Sequence, residues 1–153
     1  MGETVLSKRK VILQLNLLLE KKTKAANEQI ISLKESRDSD GKSSAGDKYE
    51  TGVEMIQQEI DQAQRQIDQY KRQQNELLRA QSQNSSTIIS FGNLVTTTKG
   101  NYFLAIGIGE IQVEDHKCYC ISTESPLGSA LLGKKLGDQV TFNGNVHKIS
   151  NIS

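Results

Sequence analysis

Apolar residues recur every seven positions along the first part of the chain, at Val5, Ile12, Leu19, Ala26 and Leu33, and Leu15, Leu18 and Ile30 widen the same stripe. A stripe of this period predicts one amphipathic helix from Val5 to about Arg37. The stretch that follows, Asp38-Ser39-Asp40-Gly41-Lys42-Ser43-Ser44-Ala45-Gly46, is rich in turn-forming residues and is expected to end it. A second stripe then runs from Asp47 to about Gln83, with Val53, Ile60, Ile67 and Gln74 in one heptad series and Ile56, Ala63, Tyr70 and Leu77 in the other. Two such stripes joined by a loop of about nine residues are expected to fold back as an antiparallel coiled coil, each helix roughly 45–55 Å long at about 1.5 Å per residue. Gln74 in the seam, with Gln62, Gln64, Gln66, Gln69 and Gln73 around it, makes this a wet hairpin whose far end is expected to be mobile.

Past Ser82-Gln83-Asn84-Ser85-Ser86 the pattern changes to short β-type runs: 88–91, 94–97, 102–106, 118–121, 139–142 and 146–149. Gly, Asn and Asp separate them, and Asn143-Gly144 is a strong hairpin signal. A short helix is expected over Pro126 to Leu132, with Ser125 as N-cap, Pro126 at the first helical position and Gly133 beyond the end. Gly107-Ile108-Gly109 lacks the rest of a dinucleotide fingerprint and reads as a turn. The fold class is therefore α+β, a helical hairpin over 1–84 followed by a small antiparallel sheet with one helix over 85–153.

Composition narrows the function classes. Of 153 residues 35% are hydrophobic and 5% aromatic, with no Trp and one Pro, too lean for one large core and too patterned for disorder. The 19 basic and 18 acidic side chains nearly cancel, so an autonomous DNA or RNA binder is not expected and a protein partner is. No apolar run has the length of a membrane span and the first residues lack signal-peptide order, which points to the cytoplasm. Cys118 and Cys120 lie too close along one strand for a disulfide framework and are expected to be reduced.

The candidate chemistry lies at a few positions. Asp47 and Glu50 open the second helix three residues apart, the spacing of a capping box. Lys8-Arg9-Lys10 and Lys21-Lys22-Lys24 read first as a solvated coiled-coil face. His116, Cys118 and Cys120 share one strand face, with His147 on a later strand; thiolate and imidazole suit zinc, but this spacing is unlike a C-x₂-C knuckle and half-buried sheet residues account for it better.

Two segments carry a resemblance. Ser125-Pro126-Leu127-Gly128-Ser129-Ala130-Leu131-Leu132-Gly133-Lys134-Lys135-Leu136-Gly137-Asp138-Gln139-Val140 resembles the C-terminal domain of the bacterial Gre transcript cleavage factors, and Gly46-Asp47-Lys48-Tyr49-Glu50-Thr51-Gly52-Val53-Glu54 resembles that family's tip motif. The resemblance implies a coiled-coil arm with an FKBP-like head that docks on RNA polymerase at its secondary channel. It implies that Asp47 and Glu50 help hold a shared Mg²⁺ in the polymerase active site, where backtracked RNA is cleaved near its 3′ end. On this reading the chain binds no cofactor alone and is not itself an enzyme. Docking is assigned to Ser125, Pro126, Leu127 and Lys134, and the basic groups of the first helix become candidates for RNA contact. The chain departs from the family in a longer turn between Ser39 and Ala45, in Thr51 where Asn is usual and in Met55 where Tyr is usual. The alternatives are a channel-binding regulator of the same architecture without cleavage and a coiled-coil adaptor unrelated to polymerase. An FKBP-like head raises prolyl isomerase activity, which is not expected, since Phe91, Tyr102, Phe103, Tyr119 and Phe142 sit at positions suited to core rather than to a concave pocket.

Overall fold

The computed structural model describes residues 5–42, 47–84 and 87–153, without the side chains of 40–42 and 47–51. Two long helices, α1 (Lys8–Lys42) and α2 (Asp47–Ser82), precede six strands and a short helix: β1 (Leu94–Thr97), β2 (Gly100–Leu104), β3 (Gly109–Val113), β4 (His116–Ile121), α3 (Pro126–Leu131), β5 (Gln139–Phe142) and β6 (Asn145–Ile152). By contacts the chain divides into two compact units, Leu17–Gln74 on one side and Met1–Asn16 with Asn75–Ser153 on the other.

In the Leu17–Gln74 unit the heptad positions meet as the pattern requires. Ala26, Ile30, Ile60, Ala63 and Ile67 are buried together, with Leu33 and Ile56 packed against them. Positions that rise along α1 meet positions that fall along α2, so the two helices are antiparallel; Arg37 Nη1 donates to Gln57 Oε1 at 2.8 Å in the same sense. Helix α1 does not stop at Arg37 but continues to Lys42. Extending a formed helix adds a hydrogen bond per residue without a new nucleus, and Asp, Ser and Gly oppose it by only about 0.5–1 kcal/mol each. At the other end α1 starts at Lys8, with Ser7 O accepting from Val11 N at 3.1 Å. Val5 lies before the helix and is 59% exposed, while Leu6 is buried.

The sheet order is β3-β4-β2-β1-β6-β5. Every neighbouring pair is antiparallel except β2 and β4, which run parallel with Tyr102 opposite Tyr119. This departs from the wholly antiparallel expectation. Residues 105–108 carry the chain past one strand position, with Ala105 N bonded to Ile121 O at 3.0 Å, so β4 enters between β2 and β3. Strand β3 was not expected, because Gly109-Glu110-Ile111-Gln112-Val113 buries only Ile111 and Val113. Residues 88–91 form no strand. Ile89 N and O are engaged by Lys134 O at 2.8 Å and Gly133 N at 2.9 Å, and Ile88 forms an isolated bridge with Lys135.

Both sheet faces are dry. On one, Val95, Tyr102, Leu104, Val140 and Ile149 pack with Ile89 and with Leu131 of α3. On the other, Leu94, Phe103, Ile111, Val113, Cys118 and Cys120 are buried. In the same compact unit lie the buried Leu6, Val11, Ile12, Leu15, Leu77 and Ala80 of the helix ends, which cover that second face. Their attachment is visible at the rim: Lys10 Nζ meets Glu114 Oε1 at 2.7 Å, and the Arg79 guanidinium lies 4.3 Å over the Phe91 ring. Gly92, at φ +89°, is where the chain passes closest, since a Cβ there would come within 3.1 Å of Ala80 Cα.

Helix α3 shows why its sequence reads as it does. Ser125 Oγ donates to Ser122 O at 2.7 Å and accepts from Gly128 N at 3.1 Å, so one hydroxyl closes the entry turn and caps the helix. Pro126 follows at the first position, where a missing N–H costs nothing. A Cβ on Gly128 would lie 2.1 Å from Ser122 O, which leaves no room for any side chain. Gly133 has φ +80° with open space around it.

Two predictions follow from this packing. Ile60→Ala should lower the unfolding free energy of the hairpin by about 2–4 kcal/mol, read by denaturant titration of far-UV circular dichroism. Gly128→Ala should cost the head about 3 kcal/mol, because the obstructing atom is backbone, whereas Gly133→Asn should stay within about 1 kcal/mol, since Asn tolerates a positive φ.

Candidate functional site

The acids assigned to the tip, Asp47 and Glu50, fall in the first turn of α2. Their side chains lie outside the described residues, as do those of Asp40 and Thr51; Asp38 is exposed and its carboxylate lies 3.6 Å from Arg37 Nε. Because α1 reaches Lys42 and α2 begins at Asp47, only residues 43–46 separate the helices, fewer than the long turn expected. Met55, one helical turn further on, is exposed.

The docking residues assigned in the head have different surroundings. Ser125 is engaged as the cap of α3, and Leu127 is half-buried against the α3-side core. Pro126 and Lys134 are exposed. Beside Lys134 lie two apolar side chains that the pattern did not single out, Leu132 and Leu136, both exposed. Periodicity could not separate them from core leucines, because α3 is too short to show a face.

The turn after α3 is built by backbone and one carboxylate. Asp138 Oδ2 accepts from Lys135 N at 2.8 Å, Asp138 N donates to Lys135 O at 3.0 Å, and Gly137 takes φ +89° between them. Val140 then enters the core beside Leu131. Asn93 is a further residue that sequence reasoning missed. It is fully buried, accepts from Ser90 N at 2.8 Å and Ser90 Oγ at 3.1 Å, and donates to Ser153 O at 3.1 Å, tying the entry of the head to its last strand.

The histidine and cysteine constellation does not assemble. His116, Cys118 and Cys120 alternate on the face covered by the helix ends, whereas His147 is on the α3 face beside Tyr102. Cys118 and Cys120 are free and buried, and the thiol of Cys120 is pushed up by its hydrogen bond with Cys118 and by burial, the reverse of a metal-ready thiolate. Among the described residues no group of three or more His, Cys, Asp or Glu could hold a metal ion. At the rim, Glu114 is held below the usual carboxylate range by its hydrogen bond from Lys10 and that cation's charge. The Lys8 ammonium is pushed down by burial, and its Nζ donates to Gln83 O at 2.9 Å.

No described helix is long and apolar enough to cross a membrane. Comparison with curated proteins returned no match, and comparison with solved structures returned none. Comparison with protein families matches residues 84–152 to the family described as transcription elongation factor, GreA/GreB, C-term. The match spans the whole sheet and α3, including the Ser125–Val140 segment, and takes in somewhat less than half of the chain. After two long helices, this chain thus carries the C-terminal domain of the GreA/GreB family of transcription elongation factors.

Proposed function

We propose that this chain binds RNA polymerase at its secondary channel and stimulates the polymerase's own hydrolysis of backtracked RNA, acting as an accessory factor rather than as an enzyme. The observation that carries this reading is the order of parts: an antiparallel helix pair whose second helix opens with Asp47 and Glu50 stands ahead of a GreA/GreB C-terminal domain. The start of α2 at Asp47 supports it, because both acids then fall in the first helical turn after the break from α1.

Two carboxylates three residues apart in the sequence are hard oxygen donors suited to Mg²⁺. A Mg²⁺ shared with the polymerase would supply charge stabilisation to the attacking and leaving oxygens of the phosphodiester. The share of this chain in that chemistry is to present Asp47 and Glu50 at a fixed spacing, each able to serve as helix cap when the chain is alone. The head supplies affinity, with the exposed Pro126 and Lys134 as contacts and Ser125 and Leu127 as the residues that hold α3 in place for them.

The test is RNA cleavage in a stalled, backtracked polymerase complex with the wild-type chain and with Asp47→Asn and Glu50→Gln. Each substitution is expected to cut the stimulated cleavage rate by at least about 10–100-fold, the cost of losing even a group that only supports a metal's ligands, while binding to the polymerase is retained. Unchanged cleavage with both variants would remove the acids from the mechanism. Polymerase binding without any stimulation by the wild-type chain would leave a channel-binding regulator, and absence of binding would leave an adaptor of another kind.

A further inference from the structure

His147 is a buried titratable group that none of these roles uses. It lies in β6 on the α3 face, is only 4% exposed, and its Nδ1 is 3.4 Å from Thr97 Oγ1 of β1. The edge of its ring rests against Tyr102 of β2, with centroids 5.6 Å apart at 71°, and Tyr102 stacks in turn on Tyr119 of β4 at 5.5 Å. From β5 its cross-strand partner is the apolar Val140.

The Thr97 hydroxyl is already engaged, donating to Gly100 O at 3.3 Å and accepting from Lys99 N at 3.0 Å. Among the described residues, the charged side chain that acts on the imidazole is Lys99, itself a cation. A second proton on this ring would therefore place a positive charge in a buried site beside the Tyr102 ring, a hydroxyl whose proton is already given to Gly100 O and a like charge. Burial without a compensating anion is costly for any cation.

The position coincides with a discontinuity in the sheet. The register between β1 and β6 shifts between Thr96 and Thr97, where β6 passes from pairing with β1 to pairing with β5. Beyond the shift the β1–β2 turn is fastened to β6 by Thr98 N to Lys148 O at 3.0 Å, Lys148 N to Thr98 Oγ1 at 3.2 Å and Thr98 Oγ1 to Val146 O at 3.4 Å. His147 sits in the middle of those three bonds.

We propose that His147 makes the β1–β6 seam a pH-sensitive switch: the neutral imidazole closes the seam, and its protonation releases the β1–β2 turn from β6. Burial, and then the charge of Lys99, hold the His147 pKa below its ordinary value of 6.5. The unfolded or opened segment consequently binds the proton more readily than the closed one. The contribution of the neutral ring is complete above about pH 6.5 and is lost as pH falls below it through the lower folded pKa. Burial raises the Tyr102 hydroxyl, so that group stays neutral throughout this range.

The experiment is an imidazole titration by NMR on the full chain, together with amide hydrogen exchange at about pH 7.5 and about pH 5, for wild type, His147→Gln and Lys99→Glu. The wild-type His147 midpoint is expected below 6.5. Protection factors of Thr98, Lys148 and Ile149 should fall by about tenfold or more on acidification, corresponding to at least about one unit of pKa difference between the open and closed forms. His147→Gln should remove that pH dependence, and Lys99→Glu should raise the midpoint by supplying an anion. A wild-type midpoint at or above 6.5, or the same loss of protection in His147→Gln, would overturn the proposal. If His147→Gln does not fold, the wild-type midpoint and its response to Lys99→Glu decide the matter.

Discussion

A sheet with apolar side chains on both faces has to be covered twice, and much of this molecule follows from that requirement. Helix α3 is only six residues long and covers one face through Leu131. The other face, with Leu94, Phe103, Ile111, Val113, Cys118 and Cys120, is too large and too apolar to be left wet. At about 25 cal/mol for each Å² removed from water, covering it is the main term that joins the ends of α1 and α2 to the strands. The Lys10–Glu114 pair and the Arg79–Phe91 contact are additions at the exposed rim of that burial, where solvent screening keeps an ion pair weak. This is why residues up to Asn16 and from Asn75 onward belong with the strands, although the composition of the chain changes only after Ser82.

Within the head, most of the segment that resembles the Gre factors is structural. Ser125 caps α3, Gly128 leaves room for Ser122 O, Leu131 and Val140 fill the core, and Asp138 holds the turn that Gly137 permits. Each needs its own side chain for a steric or hydrogen-bonding reason independent of any partner. The exposed side chains that take no part in this include Pro126, Leu132, Lys134 and Leu136. Such a pattern therefore reports the fold of the domain more directly than its contacts.

The heptad series were legible because burial in a helical hairpin depends on spacing alone, and Ile30, Ile60, Ala63 and Ile67 meet where their spacing places them. The ends of α1 were not. Val5 continues the count but precedes the first helical hydrogen bond, and the turn-rich Asp38 to Lys42 is helical because elongation is cheap once a helix exists. Strand β3 was hidden by its few apolar residues, and the parallel β2–β4 pair by the absence of any local mark for a skipped strand position. Asn93 was silent, and His147 was read only beside His116, Cys118 and Cys120, for a common reason. A polar residue in a dry interior is recognised by the partners brought to it, and those partners lie far along the chain. Asp47 and Glu50 were legible as the opening of a helix, and α2 begins at Asp47.

The joining of helix ends and strands also bears on how the chain acquires its structure during synthesis. The contacts of Ala26 and Ile30 with Ile60 and Ile67 become available as soon as α2 has been made, and they are relatively local. Leu6, Val11 and Leu15 have no such early partner, since the strands they cover come later, and β4 must insert between β2 and β3 before that face is complete. The first turns of α1 thus wait for their cover longer than Ala26 and Ile30 do, and stay wet until the strands that follow have been made.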